Sequence, residues 1–141
     1  MLSRTVFGTK GSESRFLQLY KVVREREPYL NNEAKIVQYN ALLRYFIKFL
    51  QDKDSYPPLI NSILYQIDIK LGDIYYEDGL QNQDNSRYFL AIEYYNQALS
   101  YAQKTEEQNR VLLALKDIYY YLDDEEAFFK IEKNWADNHN Q

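Results

Sequence analysis

Apolar residues recur every three or four positions through most of this chain. That spacing puts them on one face of an α-helix, whereas a half-buried strand would alternate at every second residue. Glycine and proline number only four and three in 141 residues, and most fall between the periodic segments, as breaks between helices do. The spacing therefore predicts an all-α protein.

The breaks predict about six helices. Residues 1–11, with Gly8 and Gly11 and few apolar groups, read as a flexible leader. A first helix over about 13–26 carries Phe16, Leu19, Tyr20 and Val23 and stops before Pro28. A second, over about 32–52, is capped by Asn31 or Asn32 and buries Ile36, Tyr39, Leu43, Phe46, Ile47 and Leu50. Pro57 and Pro58 open a third, where a missing N–H costs nothing. It buries Ile60, Ile63, Leu64, Ile67, Leu71, Ile74 and Tyr75, and Gly79 ends it, leaving a polar loop from Gly79 to Asn85. Ser86 caps a fourth helix over about 87–103, with Phe89, Ala91, Tyr95, Ala98, Leu99 and Ala102 inward. Thr105 and Gln108 have capping-box spacing for a fifth, with Leu112, Leu115, Ile118, Tyr119 and Leu122 as its stripe. Asp123 and Glu126 start a sixth over about 124–136 that buries Ala127, Phe128, Ile131 and Trp135, and residues 137–141 read as a frayed tail. The chain thus divides into an N-terminal hairpin, 12–56, and two further hairpins, 57–136.

Those last two hairpins repeat each other. Leu71 to Tyr76 reads L-G-D-I-Y-Y, and Leu115 to Tyr120 reads L-K-D-I-Y-Y; Ile69 aligns with Leu113 upstream. An offset near 44 residues lies in the range of helical-hairpin repeats. Leu71, Gly72 and Tyr75, followed by Ala91, Tyr95 and Ala98, resemble the tetratricopeptide repeat family over about residues 63–136. Small residues there let two helices approach closely, and the ring fills the space beside them. The second copy departs from the pattern: Lys116 replaces the glycine and Ile131 the aromatic residue. The resemblance implies antiparallel hairpins stacked as a short α-solenoid, acting by holding another protein in a concave groove lined by the first helix of each hairpin.

Helical spacing places Gln66, Ile69, Asp73 and Tyr76 on one face of the third helix, and Arg110, Leu113, Asp117 and Tyr120 on the equivalent face of the fifth. Two acidic points and two aromatic walls suit an extended or helical peptide carrying a basic residue. The family members that grip a C-terminal carboxylate place Lys and Asn on this face, so Asp73 and Asp117 carry the wrong sign for that ligand. The expected function is therefore an adaptor or chaperone. Small acidic tetratricopeptide proteins such as bacterial secretion chaperones resemble the chain in size, charge and repeat type. The alternative is a structural or oligomerisation subunit of a larger assembly, which docks or homodimerises through Tyr45, Phe46, Phe49 and Leu50.

Other classes find little support. The net charge of -4 and the lack of a basic stripe argue against nucleic acid. No apolar run approaches the ~18 residues of a membrane span, and a cytoplasmic setting is expected. With no cysteine there is no thiolate chemistry. His139 is the single histidine and stands in the expected tail, so no catalytic triad forms. Gly8 to Ser12 lacks the phosphate-loop pattern, and the acidic run Asp123 to Glu126 lacks the alternation of a Ca²⁺ loop. The expectation is a protein-binding module with no enzymatic activity, metal or cofactor.

Overall fold

The structure is a computed structural model that describes the backbone of residues 2–52 and 56–139 and the side chains of residues 11–52 and 56–137. Among the described residues it is all-helical, with six α-helices and no strand. The chain forms two compact units, Met1–Ile60 and Asn61–Gln141, so the boundary falls inside the third helix rather than at Pro57.

The first unit pairs α1 (Leu2–Arg26) with α2 (Asn32–Phe49) across a single 3-10 turn, Glu27–Tyr29. Residues expected to form a separate leader form the first turns of α1. A glycine inside a helix costs only ~1 kcal/mol relative to alanine, so Gly8 and Gly11 do not stop it as a proline would. Pro28 ends α1 as expected. Asn31 then caps α2, its Oδ1 accepting from the Ala34 N–H at 2.8 Å. Phe16 anchors the pair: it is fully buried, stacked on Tyr45 with ring centroids 6.4 Å apart, and tilted against Phe46 at 6.2 Å. The buried stripe of α2 is Tyr39, Leu42 and Phe46, with Leu50 just beyond its end. Ile47, expected inside, is exposed, because the stripe passes through Leu42 instead.

The second unit holds most of α3 (Pro58–Asn82), then α4 (Asn85–Tyr101), α5 (Thr105–Tyr121) and α6 (Glu125–His139). The expected loop from Gly79 to Asn85 is largely helix. α3 continues to Asn82, and the reversal is made by Gln83, at φ 49°, and Asp84. Gly79 is not a helix terminator at all. A Cβ on it would stand 2.9 Å from the ring of Tyr88. Gly72 is similar, since its Cβ would stand 2.6 Å from Cε1 of Tyr95. From Gly72 forward to Gly79 is the same step as from Tyr95 back to Tyr88, which is the register of an antiparallel pair. Each ring lies in the space that a missing side chain leaves on α3, and the helices close to a distance no larger residue permits.

Caps begin these helices one or two residues away from their expected places. Asp84, not Ser86, caps α4, its Oδ1 accepting from the Ser86 N–H at 2.9 Å. Lys104 precedes α5, and Glu107 Oε1 accepts from the Lys104 and Gln103 N–H groups at 3.1 and 2.9 Å. Asp124, not Asp123, caps α6; Asp123 has φ 56° and makes the turn. The tail from residue 137 is helical as far as His139, while the His139 side chain and the last two residues lie outside the described residues.

The core of this unit is Tyr65, Ile69, Tyr88, Ala91, Tyr95, Ala98, Val111, Leu115 and Ile118. Phe89, expected inward, is exposed because Tyr88 takes the core-facing position. In α6, Ala127, Phe128, Ile131 and Trp135 are only half-buried. Where Gly72 admits a ring, Lys116 instead reaches Glu132 on α6 at 2.9 Å.

α3 also buries an ionisable carboxyl group. Asp68 is fully enclosed, and neither carboxylate oxygen meets a hydrogen-bond partner among the described residues. Burial pushes its pKa up to about 7, since a carboxylate without water or donors is costly.

Two predictions follow from these contacts. Gly72→Ala should destabilise the protein by about 1–3 kcal/mol through overpacking, despite alanine's better helix propensity. Gly11→Ala, whose Cβ meets nothing within 4 Å, should be neutral or slightly stabilising. Equal urea midpoints for the two variants would refute the close approach. Asp68 holds its proton more tightly folded than unfolded, so its contribution is complete below pH ~4 and lost as pH rises towards 7. Relative to Asp68→Asn, the wild type should lose on the order of 1–4 kcal/mol across that window. A pH-independent difference between the two proteins would remove the buried carboxylate as the cause.

Candidate interaction cleft

Two hydrogen bonds join α3 to α5. Tyr65 on α3 donates its hydroxyl to the Glu107 carbonyl at 3.0 Å, and eight residues along, Asp73 accepts from Arg110 at 2.9 Å. From the second of these onward, α3 and α5 line an open cleft of about 510 Å³. α3 supplies Asp73, Tyr76, Glu77 and Leu80; α5 supplies Arg110, Leu113, Ala114 and Asp117; Tyr95 of α4 reaches in from behind.

Five of the eight expected groove residues meet here: Asp73, Tyr76, Arg110, Leu113 and Asp117. Three do not. Ile69 is buried in the core with Tyr65 and Tyr88. α3 is apolar on more than one face, so an isoleucine on the expected groove side is drawn inward. Gln66 is exposed but lies outside the cleft lining. Tyr120 lines a different pocket, near the turn into α6. In exchange the cleft gains Glu77 and Leu80, one and two helical turns beyond Asp73. Ending α3 near residue 77 hid Leu80; continuing the Asp73 face by four and seven residues would have found both.

The two aligned aspartates are not equivalent. Asp73 is committed inside the protein: Tyr95 donates to its Oδ1 at 2.6 Å, and Arg110 Nη2 to its Oδ2 at 2.9 Å. Tyr95 holds its proton far above the ordinary range, chiefly through burial and then through that hydrogen bond. For Arg110, burial works against the charge, but the hydrogen bond and charge of Asp73 outweigh it and raise the pKa. Asp117 and Glu77 have no ion-pair partner among the described residues. Tyr76 is pushed up to about 12 by burial first, then by the Asp117 carboxylate. The cleft therefore presents three carboxylates against one guanidinium, and the unspent charge sits at Glu77 and Asp117.

The alternative docking surface on α2 has less to offer. Phe46 and Leu50 are buried, and Tyr45 and Phe49 are half-buried with their rings 4.7 Å apart. Among the described residues no helix is long and apolar enough to cross a membrane. No family model, curated protein or solved structure matches the chain.

The Tyr95–Asp73–Arg110 set makes its own prediction. Tyr95→Phe keeps the ring on Gly72 and removes only the hydroxyl, so it should cost about 1–2 kcal/mol. Asp73→Asn should cost a similar amount, and the double variant less than the two together. Strict additivity in chemical denaturation would show that the hydroxyl and the carboxylate are not energetically coupled.

Proposed function

We propose that this chain is a tetratricopeptide-like interaction module that holds an extended, basic segment of a partner protein in the cleft between α3 and α5. The observation that carries this reading is the division of labour among the cleft's charges. Asp73 is neutralised internally by Arg110 and Tyr95, while Glu77 and Asp117 flank the half-buried ring of Tyr76 without a cation of their own. A lysine or arginine laid across that ring meets a negative π-face and two carboxylates at once. Leu80, Leu113 and Ala114 give the stem of such a side chain apolar surface to lie on.

Support comes also from which helices form the cleft. α3 and α5 carry the repeated L-x-D-I-Y-Y motif, and in the resembling family the first helices of successive hairpins line the ligand groove. A carboxylate-gripping role fits poorly, because the cleft's single cation, Arg110, is already paired. An exposed charge contact contributes modestly, ~0.2–1 kcal/mol, so affinity should come from several such contacts with the ring and weaken with salt.

The discriminating variant is Glu77→Lys/Asp117→Lys, which leaves Asp73 and its partners intact. On an array of short extended peptides that differ only in Lys and Arg content, the wild type should retain basic peptides and release them as salt rises. The charge-reversed protein, shown to be folded by circular dichroism, should lose them by roughly tenfold or more. Equal retention by both proteins would place any binding outside the cleft.

A further inference from the structure

Tyr120 opens onto a second pocket of about 370 Å³ at the turn from α5 to α6. It is lined by the rings of Tyr119, Tyr120, Phe128 and Phe129 and by Asp123, Asp124 and Glu125. Tyr120 and Phe129 are 67% and 65% exposed. One large ring in water is ordinary, but four rings and three acidic residues lining one recess give it a defined chemistry. Asp124 spends one oxygen on the Ala127 N–H at 3.1 Å, which leaves most of the unspent charge on Asp123 and Glu125. Negative ring faces and carboxylates both favour a cation, and the apolar walls suit a cation on an aliphatic stem. A bare metal ion suits the recess poorly: among the described residues no three acidic or histidine side chains are gathered as ligands.

A chain of ring contacts runs from the cleft to the pocket, passing through the core at Tyr88. Tyr76, in the cleft, meets Tyr88 edge-on at 6.3 Å, and Tyr88 stacks on Tyr121 at 5.9 Å. Tyr121 meets Tyr120 at 5.7 Å, Tyr120 meets Phe128 at 6.5 Å, and Phe128 meets Phe129 at 5.3 Å. Along α5, the step from Asp117 to the turn at Asp123 is roughly 10 Å at the helical rise. An extended peptide covers that distance in about three residues.

We propose that the α5–α6 pocket receives a second lysine or arginine side chain of the segment held in the α3–α5 cleft, three or four residues from the first. This rests on the reading of the cleft as a site for a basic segment. The two acidic sites, about three extended residues apart along α5, together measure the interval between basic residues. Selectivity then lies in spacing and not in net charge alone.

Fluorescence anisotropy on the full chain, with labelled extended peptides carrying one lysine or two lysines at increasing separations, tests this. Separations of three and four should bind roughly three- to tenfold more tightly than a single lysine, and separations of one or seven should not. Tyr120→Ser/Phe129→Ser, both at exposed positions, should abolish that advantage while leaving single-lysine binding unchanged. An affinity indifferent to spacing, or a ring variant that keeps the full advantage, would overturn the second site and leave the cleft reading standing. Failure of every peptide to bind would overturn both.

Discussion

Two tyrosine rings seated on two glycines set the geometry of the second unit. Tyr95 on Gly72 and Tyr88 on Gly79 lie two helical turns apart on both helices, so they fix the separation of α3 and α4 and their register together. The reversal at Gln83 and Asp84 follows from that register. The pairing also aims the Tyr95 hydroxyl at Asp73, on the far side of the glycine it covers. A change at either glycine would therefore move the cleft as well as the core.

The similar hexapeptides of α3 and α5 keep the same helical phase in different surroundings. In α3 ten further helical residues follow Gly72; in α5 only five follow Lys116. The first hairpin is therefore deeper, and the two aspartates come to stand in different surroundings. Asp73 faces the ring of the next helix and the guanidinium of the one after. Asp117 faces the cleft. One carboxylate is tied to Tyr95 and Arg110, and the other lines the cleft without an ion-pair partner among the described residues.

Much of this architecture was legible in the residues. The 3–4 periodicity marked all six helices, and Asn31, Pro28 and Pro58 marked boundaries the structure keeps. What failed was of one kind. Gly79 looks like a helix terminator when only local rules are applied, because its reason for being glycine lies on α4. Tyr88 and Phe89 are adjacent rings that periodicity alone could not rank, and only the depth of Gly79 selects Tyr88. The consequence reaches the site: a helix ending near residue 77 conceals Leu80, and Ile69, which spacing puts on the groove face, is drawn into the core by the second apolar face of α3. Asp73 lines the cleft, but nothing local shows that Arg110, 37 positions away, pairs with it.

The hairpins also differ in how firmly they are held. α4 is keyed to α3 by buried rings, whereas α6 lies on α5 with its apolar residues only half-covered and with the Lys116–Glu132 bridge partly in water. Resistance to local opening should therefore fall from α3 towards the C-terminal end. The chain's single tryptophan, Trp135, sits on that outermost helix, so its emission reports the least anchored part of the molecule. Any molecule that seats between Tyr120 and Phe129 touches both α5 and α6 and acts as a clasp on the weaker hairpin. Its binding and the ordering of α6 are linked quantities, and each can be measured through the other.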